Sequence, residues 1–236
     1  MNNVYISPAA CGPLKDFLRE KGFNIVYTKN DDSPVSREIS LHPDIYMCQM
    51  GLWEESRLFF GKKERLSSSY PKDAVYNALC TGKYFIHNLK HTDPRLLEAA
   101  RFMGLETVNV KQGYSRCSCL PVDDSSFITS DRGMAKSLLS HGAKVLLISP
   151  GHVLLPGFPW GFIGGCGGNL IIDGKRCLVF NGDLSAHPDF ASVRDFAKVR
   201  NIDILFFDGF PLTDIGSLLT GSPLYGSTAD LNFSRL

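Results

Sequence analysis

The sequence lacks any apolar run of the roughly 18–20 residues that a membrane-crossing helix needs, so no membrane partner is expected. It also lacks charge of one sign: 25 Lys and Arg face 24 Asp and Glu, for a net +1. A dedicated nucleic-acid surface or a polybasic anchor is therefore not expected. The seven cysteines are an odd number and scattered, which argues against a disulfide framework. The opening Met1-Asn2-Asn3-Val4-Tyr5 has neither the basic nor the long apolar region of a signal peptide. Reduced thiols and a cytoplasmic location follow as expectations. No low-complexity segment or composition shift divides the chain, so residues 1–236 read as one domain. With 44% hydrophobic and 21% charged residues it can bury a sizeable core.

What the chain has instead is a short pattern in five copies. They are His42-Pro43-Asp44-Ile45-Tyr46-Met47, Val75-Tyr76-Asn77-Ala78-Leu79-Cys80, Cys117-Ser118-Cys119-Leu120-Pro121-Val122, Gly167-Gly168-Asn169-Leu170-Ile171-Ile172 and Thr228-Ala229-Asp230-Leu231-Asn232-Phe233. Each starts with a small, polar or reactive residue, usually has Asp or Asn at its third position, and continues into an apolar run. Read as strands, the copies turn residues two apart to one face. Five equivalent strands about a common axis would then gather His42, Asp44, Asn77, Cys117, Cys119, Asn169 and Asp230 at one spot. That collection suits a site better than a core.

The segments between copies repeat as well. Apolar runs at 82–88, 126–131 and 174–180 predict a second strand in three units. Helices follow at 93–103, 133–141 and 189–200, and third strands at 106–110, 144–148 and 203–208. Near the N-terminus a strand at 4–7, a helix at 13–21 and a strand at 24–27 lack a first strand, which the segment from Thr228 is expected to supply. The helical faces are Leu14, Phe17 and Leu18; Leu96, Ala99, Ala100 and Met103; Met134, Leu138 and Leu139; Val193, Phe196 and Ala197. Gly22, Gly104, Gly142 and Asn201 mark their C-terminal ends. Residues 52–69 have weak periodicity and predict a degraded helix or an ordered loop. Residues 151–165, with Pro156, Phe158, Pro159, Trp160 and Phe162, predict either a lid or an insertion packed on the surface. The expected architecture is a closed α/β ring of five ββαβ units, joined by both termini.

That ring resembles the pentein fold, shared by guanidino-group-modifying enzymes and the ribosome anti-association initiation factor. His42-Pro43-Asp44 is similar to the enzymes' His-x-Asp. Gly113-Tyr114-Ser115-Arg116-Cys117-Ser118-Cys119-Leu120-Pro121 is similar to the context of their nucleophilic cysteine. Cys166-Gly167-Gly168-Asn169 echoes an acidic-Gly-Gly-Asp/Asn motif, with Cys166 in place of the acid. More narrowly, the chain resembles a bacterial family of this fold without a known substrate. Gly221-Ser222-Pro223 and His187-Pro188-Asp189 are similar to elements of the anti-association factor.

The resemblance implies a hydrolase of the deiminase kind or an amidinotransferase, with no cofactor. Cys117 is then the nucleophile, and His42 and Asp44 complete the catalytic set. Asp230, Asn169, Asn77 and Arg116 are the expected substrate contacts. A thiol near pKa 8.5 is little ionised at neutral pH, so a protonated His42 is expected to lower it. Carboxylates bind a planar guanidinium through paired hydrogen bonds. With Cys166 replacing an acid, a less anionic pocket is expected, and weak turnover of arginine with it. The alternative is a non-catalytic binding module like the anti-association factor. A metal set of Cys117, Cys119, His42 and Cys166 is conceivable, but Cys-x-Cys is not a zinc-knuckle spacing, and no metal is expected. Gly164-Gly165-Cys166-Gly167-Gly168 lacks the Lys-Ser/Thr of a phosphate loop.

Overall fold

The computed structural model describes residues 3–29 and 32–224, and the backbone of a strand at 233–235. The first unit has β1 (Asn3–Ile6), α1 (Gly12–Glu20) and β2 (Asn24–Thr28). The second opens with a one-turn helix, α2 (Pro43–Tyr46), and continues into β3 (Met47–Met50) and β4 (Arg57–Phe60). The third holds β5 (Leu79–Cys80), β6 (Tyr84–His87), α3 (Pro94–Phe102) and β7 (Glu106–Asn109). The fourth holds α4 (Ser115–Ser118), β8 (Cys119–Asp123), β9 (Ser126–Thr129), α5 (Arg132–Ser140) and β10 (Lys144–Leu147). The fifth holds β11 (Gly167–Ile172), β12 (Lys175–Phe180), α6 (Phe190–Lys198) and β13 (Asp203–Leu205). The chain then returns through β14 (Leu219–Thr220), β15 (Ser222–Pro223) and β16 (Phe233–Arg235).

These strands form five small sheets. In each, a first strand runs antiparallel to a second, and a third lies parallel to the second. The sets are β14-β1-β2, β3-β4-β15, β5-β6-β7, β8-β9-β10 and β11-β12-β13. Two of them are completed by the C-terminal stretch. Thr220 pairs with Val4, which gives the first unit its first strand, and Ser222 pairs with Arg57, which gives the second its third. The expectation that the first strand starts near Thr228 is thereby corrected. The later β16 lies instead on the outer side of that sheet, antiparallel to β2, with Phe233 opposite Thr28. A strand of two residues carries too weak a periodicity to be seen in sequence.

The helices follow most of their apolar spacing, but Met103, just past α3, and Leu139 are exposed instead of facing the core. Leu14 and Leu18, Leu96 and Ala100, Met134 and Leu138, and Val193 and Ala197 are buried against the sheets. Burying a leucine of this kind contributes roughly 1.5–3 kcal/mol. The Asp93 carboxylate accepts from the amides of Arg95 and Leu96, and Asp131 from that of Met134, so these helices start where a side-chain cap is available. At their far ends Gly22, Gly104, Gly142 and Asn201 take positive φ, as the C-terminal signals required. Residues 52–69 contain β4 and two 3₁₀ turns, Trp53–Glu55 and Lys63–Arg65, and no α-helix. Among the described residues no helix is long and apolar enough to cross a membrane.

His87, at the end of β6, ties the third unit to the segment before α4. Its Nε2 donates to the carbonyls of Gly113 (2.7 Å) and Ala74 (3.1 Å), and Nδ1 lies 2.7 Å from the Thr92 hydroxyl. Burial pushes its pKa down from 6.5 to about 4. A histidine held neutral stabilises the fold above its unfolded pKa, and that contribution drains as pH falls toward the folded value. The urea midpoint of the wild type is therefore expected to fall between about pH 6.5 and pH 4, by on the order of 3 kcal/mol in total from this group. His87→Gln is expected to be less stable at pH 7 but to show a flatter profile across that window. Parallel profiles in the two proteins would rule this out.

Candidate functional site

The heads of the first strands are where the sequence placed its chemistry, but the residues do not sit as strand positions. His42 caps α2 and Asp44 lies within it, so both precede β3. Arg116 and Cys117 lie in α4, ahead of β8, and Asn77 sits in the bend before β5. A turn before a strand can swing a side chain inward, whereas the strand pleat sends alternate residues to opposite faces. The residues on turns converge; the residues on strands do not.

The centre is the Cys117 thiol. It donates to Asp44 Oδ2 at 2.9 Å and accepts from Asn77 Nδ2 at 3.2 Å. Asn77 Oδ1 accepts from the backbone amides of Arg116 and Cys117, at 3.0 and 3.1 Å, so one carboxamide fixes both the turn and the sulfur. Ser217, just before β14, donates to Asp44 Oδ2 at 2.8 Å. Asp44 Oδ1 is buried without a hydrogen-bond partner. His42 brings its imidazole within 4.8 Å of the Cys117 sulfur, and its Nδ1 is 3.8 Å from Asp214 Oδ1. His42, Asp44, Cys117 and Asp214 are each at most 5% exposed.

Asp214 was not foreseen. It lies five residues before β14, as His42 lies five before β3, and Ser217-Leu218-Leu219 repeats the polar-then-apolar onset of the other copies. The signal was present, but the Thr228 copy stood in its place. Asp230, the expected contact in that copy, lies outside the described residues. Asp214 is held by the backbone amides of Gly216 (3.0 Å) and Phe162 (3.0 Å). A second buried carboxylate thus stands beside Asp44, from a segment other than the one expected.

Three further expectations change. Arg116 donates to the carbonyls of Gly164 (2.8 Å) and Gly167 (3.1 Å), so its guanidinium clamps backbone and does not face a ligand. Asn169, on β11, donates to the Pro121 carbonyl at 2.9 Å and lines a separate cavity of about 450 Å³ with Trp53 and Glu54. Cys119 and Cys166 turn into hydrophobic core, beside Phe127 and Phe180 respectively, which dissolves the metal set built on Cys-x-Cys. The donors that do come together are His42, Cys117 and Asp214.

Electrostatics correct the picture of a waiting thiolate. Burial pushes the Cys117 thiol well up, and Asp44 and Asp214 push it further. Burial also drives His42 down, toward neutral imidazole, against the pull of Asp44. Asp44 is raised by burial, and Asp214 is raised to about 6 by the same cause, tempered by its backbone amides. Neither carboxylate is ion-paired to a lysine or arginine among the described residues; the buried Arg116 guanidinium acts on both through space, and the His42 ring lies beside Asp214. The resting site is thus a protonated thiol between two carboxylates, beside a neutral imidazole.

Residues 151–165 pack onto this cluster from one side. Gly161 and Gly165 approach Asp214 so closely that a Cβ on either would overlap its side chain, and one on Gly164 would overlap the Arg116 carbonyl. The glycine run is thus explained by close packing. Farther out, Leu154, Phe158 and Trp160 of the same loop are exposed.

The fold and cluster define a mixed α/β protein built of five small sheets, with a buried thiol, imidazole and carboxylate group at the strand heads. Residues 52–219 match the Family of unknown function (DUF6873), and the chain belongs to that family. The matched span includes Asn77, Cys117, Asp214 and Ser217, and begins after His42 and Asp44. No curated protein and no solved structure matches the chain.

Gly165→Ala is expected to cost about 1–3 kcal/mol, because the added methyl must displace the Asp214 carboxylate. Gly12→Ala, where a Cβ meets open space, is expected to leave the urea midpoint nearly unchanged. Equal midpoints for the two variants would show that the loop is not pressed against Asp214.

Proposed function

We propose that the chain is a guanidino- or amidino-group-modifying enzyme of the pentein type, with Cys117 as nucleophile and His42 as acid and base. In this reading Asp44 and Asp214 seat a planar organic cation. The observation that carries it is the thiol held between two buried carboxylates that are ion-paired to no lysine or arginine among the described residues, the buried Arg116 guanidinium acting on them only through space. Buried carboxylates without a counter-ion are costly, and a bound cation offsets that cost. The five sheets with one strand order, two of them completed by the C-terminal stretch, support the ring of ββαβ units.

The chemistry follows from the charges. A cation between Asp44 and Asp214 cancels the two charges that hold the Cys117 proton in place, so the ligand itself promotes the thiolate. The thiol proton passes to His42 as the sulfur bonds to the central carbon. The leaving amine takes that proton as the C–N bond breaks. Water then adds with His42 as base, and the C–S bond breaks to restore the thiol. An amine in place of water gives group transfer. Entry of a ligand requires an opening in the wall around Cys117, which is 3% exposed, and residues 161–165 form one side of that wall. Arg116 and Asn77 act as positioning residues, through Gly164 and Gly167 and through the sulfur.

The second reading, a non-catalytic binding module like the anti-association factor, draws on the closed state of the cluster, whose groups bond one another. Covalent labelling separates the two. Chloroacetamidine and chloroacetamide differ only in an amidinium in place of an amide. The cationic reagent is expected to label Cys117 at least about tenfold faster, a difference of about 1.4 kcal/mol. Asp44→Asn is expected to remove most of that preference. Equal rates for the two reagents, with no ammonia, urea or ureido product from arginine, agmatine or methylarginines, would favour the binding module.

A further inference from the structure

His42, Cys117 and Asp214 come from three separate strand heads, yet each turns one donor atom toward a shared point. The imidazole nitrogen, sulfur and carboxylate oxygen all lie within 4.8 Å of one another, and all three residues are buried. A tetrahedral zinc ion bonds sulfur at about 2.3 Å and nitrogen or oxygen at about 2.0–2.2 Å, which sets ligand atoms roughly 3.3–3.7 Å apart. The His42 Nδ1 to Asp214 Oδ1 separation of 3.8 Å is already close to that spacing. Shifts of about 1 Å bring the set onto one ion.

A second observation lies beside this set, on the residue that is hydrogen-bonded to the Cys117 thiol. Asp44 Oδ2 takes both the Cys117 thiol and the Ser217 hydroxyl, while Oδ1 is buried with no partner. A bare buried acceptor is costly, and nearby positive charge relieves it. Outer hydrogen bonds of the kind that orient metal ligands are also present. Asn77 donates to the Cys117 sulfur, and the amides of Phe162 and Gly216 hold Asp214. Thiolate with imidazole selects a borderline or soft ion over magnesium or calcium.

We propose that His42, Cys117 and Asp214 form a site for one zinc-class divalent cation, with the Asp44 carboxylate beside it. Binding replaces the thiol hydrogen by the metal, so an S–metal bond forms and one proton leaves to solvent. The fourth position stays open to water. The site stands on these side chains alone. Its one tie to the functional reading is that metal and organic cation would compete for the same space, and the metal would silence the nucleophile.

The test uses the full-length protein, stripped with a chelator and titrated with cobalt(II) and zinc(II). One ion per chain is expected, with a thiolate-to-cobalt charge-transfer band in the near ultraviolet and about one proton released per ion at neutral pH. Cys117→Ser is expected to abolish the band and weaken zinc binding by more than about a hundredfold, beyond the range for loss of an outer-shell partner. Asp214→Asn is expected to weaken zinc by at least about tenfold with the band retained. The wild-type spectrum and proton count need no variant, so they decide the matter even if a variant fails to fold. Absence of the band at stoichiometric cobalt, or zinc affinity unchanged in Cys117→Ser, overturns the proposal. Amidine-selective labelling of stripped protein without metal binding removes this site and leaves the functional reading standing. Metal binding without such labelling does the reverse.

Discussion

Two carboxylates buried against one thiol set the terms for the centre of this protein. Asp44 accepts the Cys117 proton, Asp214 faces His42, and no lysine or arginine is ion-paired to either acid among the described residues. In a low-dielectric interior such an arrangement persists by keeping protons on the groups or by admitting a cation. The upward push on Cys117, Asp44 and Asp214 and the downward push on His42 share burial as their leading cause, with the acids adding to the push on Cys117 and Asp44 opposing that on His42. Both proposals for the site, a planar organic cation and a divalent metal, supply a cation in direct contact with acids that Arg116 reaches only through space.

The backbone around the centre is arranged to bring these groups together. Asn77 pins the α4 turn through two amides and still reaches the sulfur. Arg116 spends its guanidinium on the carbonyls of Gly164 and Gly167, which draws the glycine run against the turn. Gly216, at positive φ, packs against His42 where a Cβ would overlap it. Glycines recur here because four chain segments meet at backbone distance, which side chains would forbid. Loop residues 161–165 therefore belong to the site's wall, while Phe158 and Trp160 in the outer half of that loop remain exposed.

Much of the local structure was legible from sequence. Helix positions and the ends at Gly22, Gly104, Gly142 and Asn201 follow from short-range rules, and the structure has them; of the expected helix faces, Met103 and Leu139 are exposed. His42, Asp44, Asn77 and Cys117 were also rightly grouped, though for an incomplete reason. Their convergence depends on one-turn helices or bends ahead of the strands, not on the pleat. Cys119 and Asn169, which do occupy strands, point elsewhere for that reason. Residue types and spacing identified the chemistry; the turn geometry decided which residues share it.

By itself the sequence determined the five-fold repeat, the amphipathic helices and the residue types at each strand head, because these rest on periodicity and on hydrogen bonds between near neighbours. Tertiary structure alone decided which sheets the C-terminal stretch completes and which acid faces His42. Leu219–Thr220 and Ser222–Pro223 are strands only because β1 and β4 offer them edges some 165 to 215 residues away. Two-residue strands have no periodicity of their own, and their hydrogen bonds exist only after the partner edge has formed. Asp214 enters the site on the stretch that leads into those strands. Its place was written in the chain, but only the returning strand carries it to Cys117.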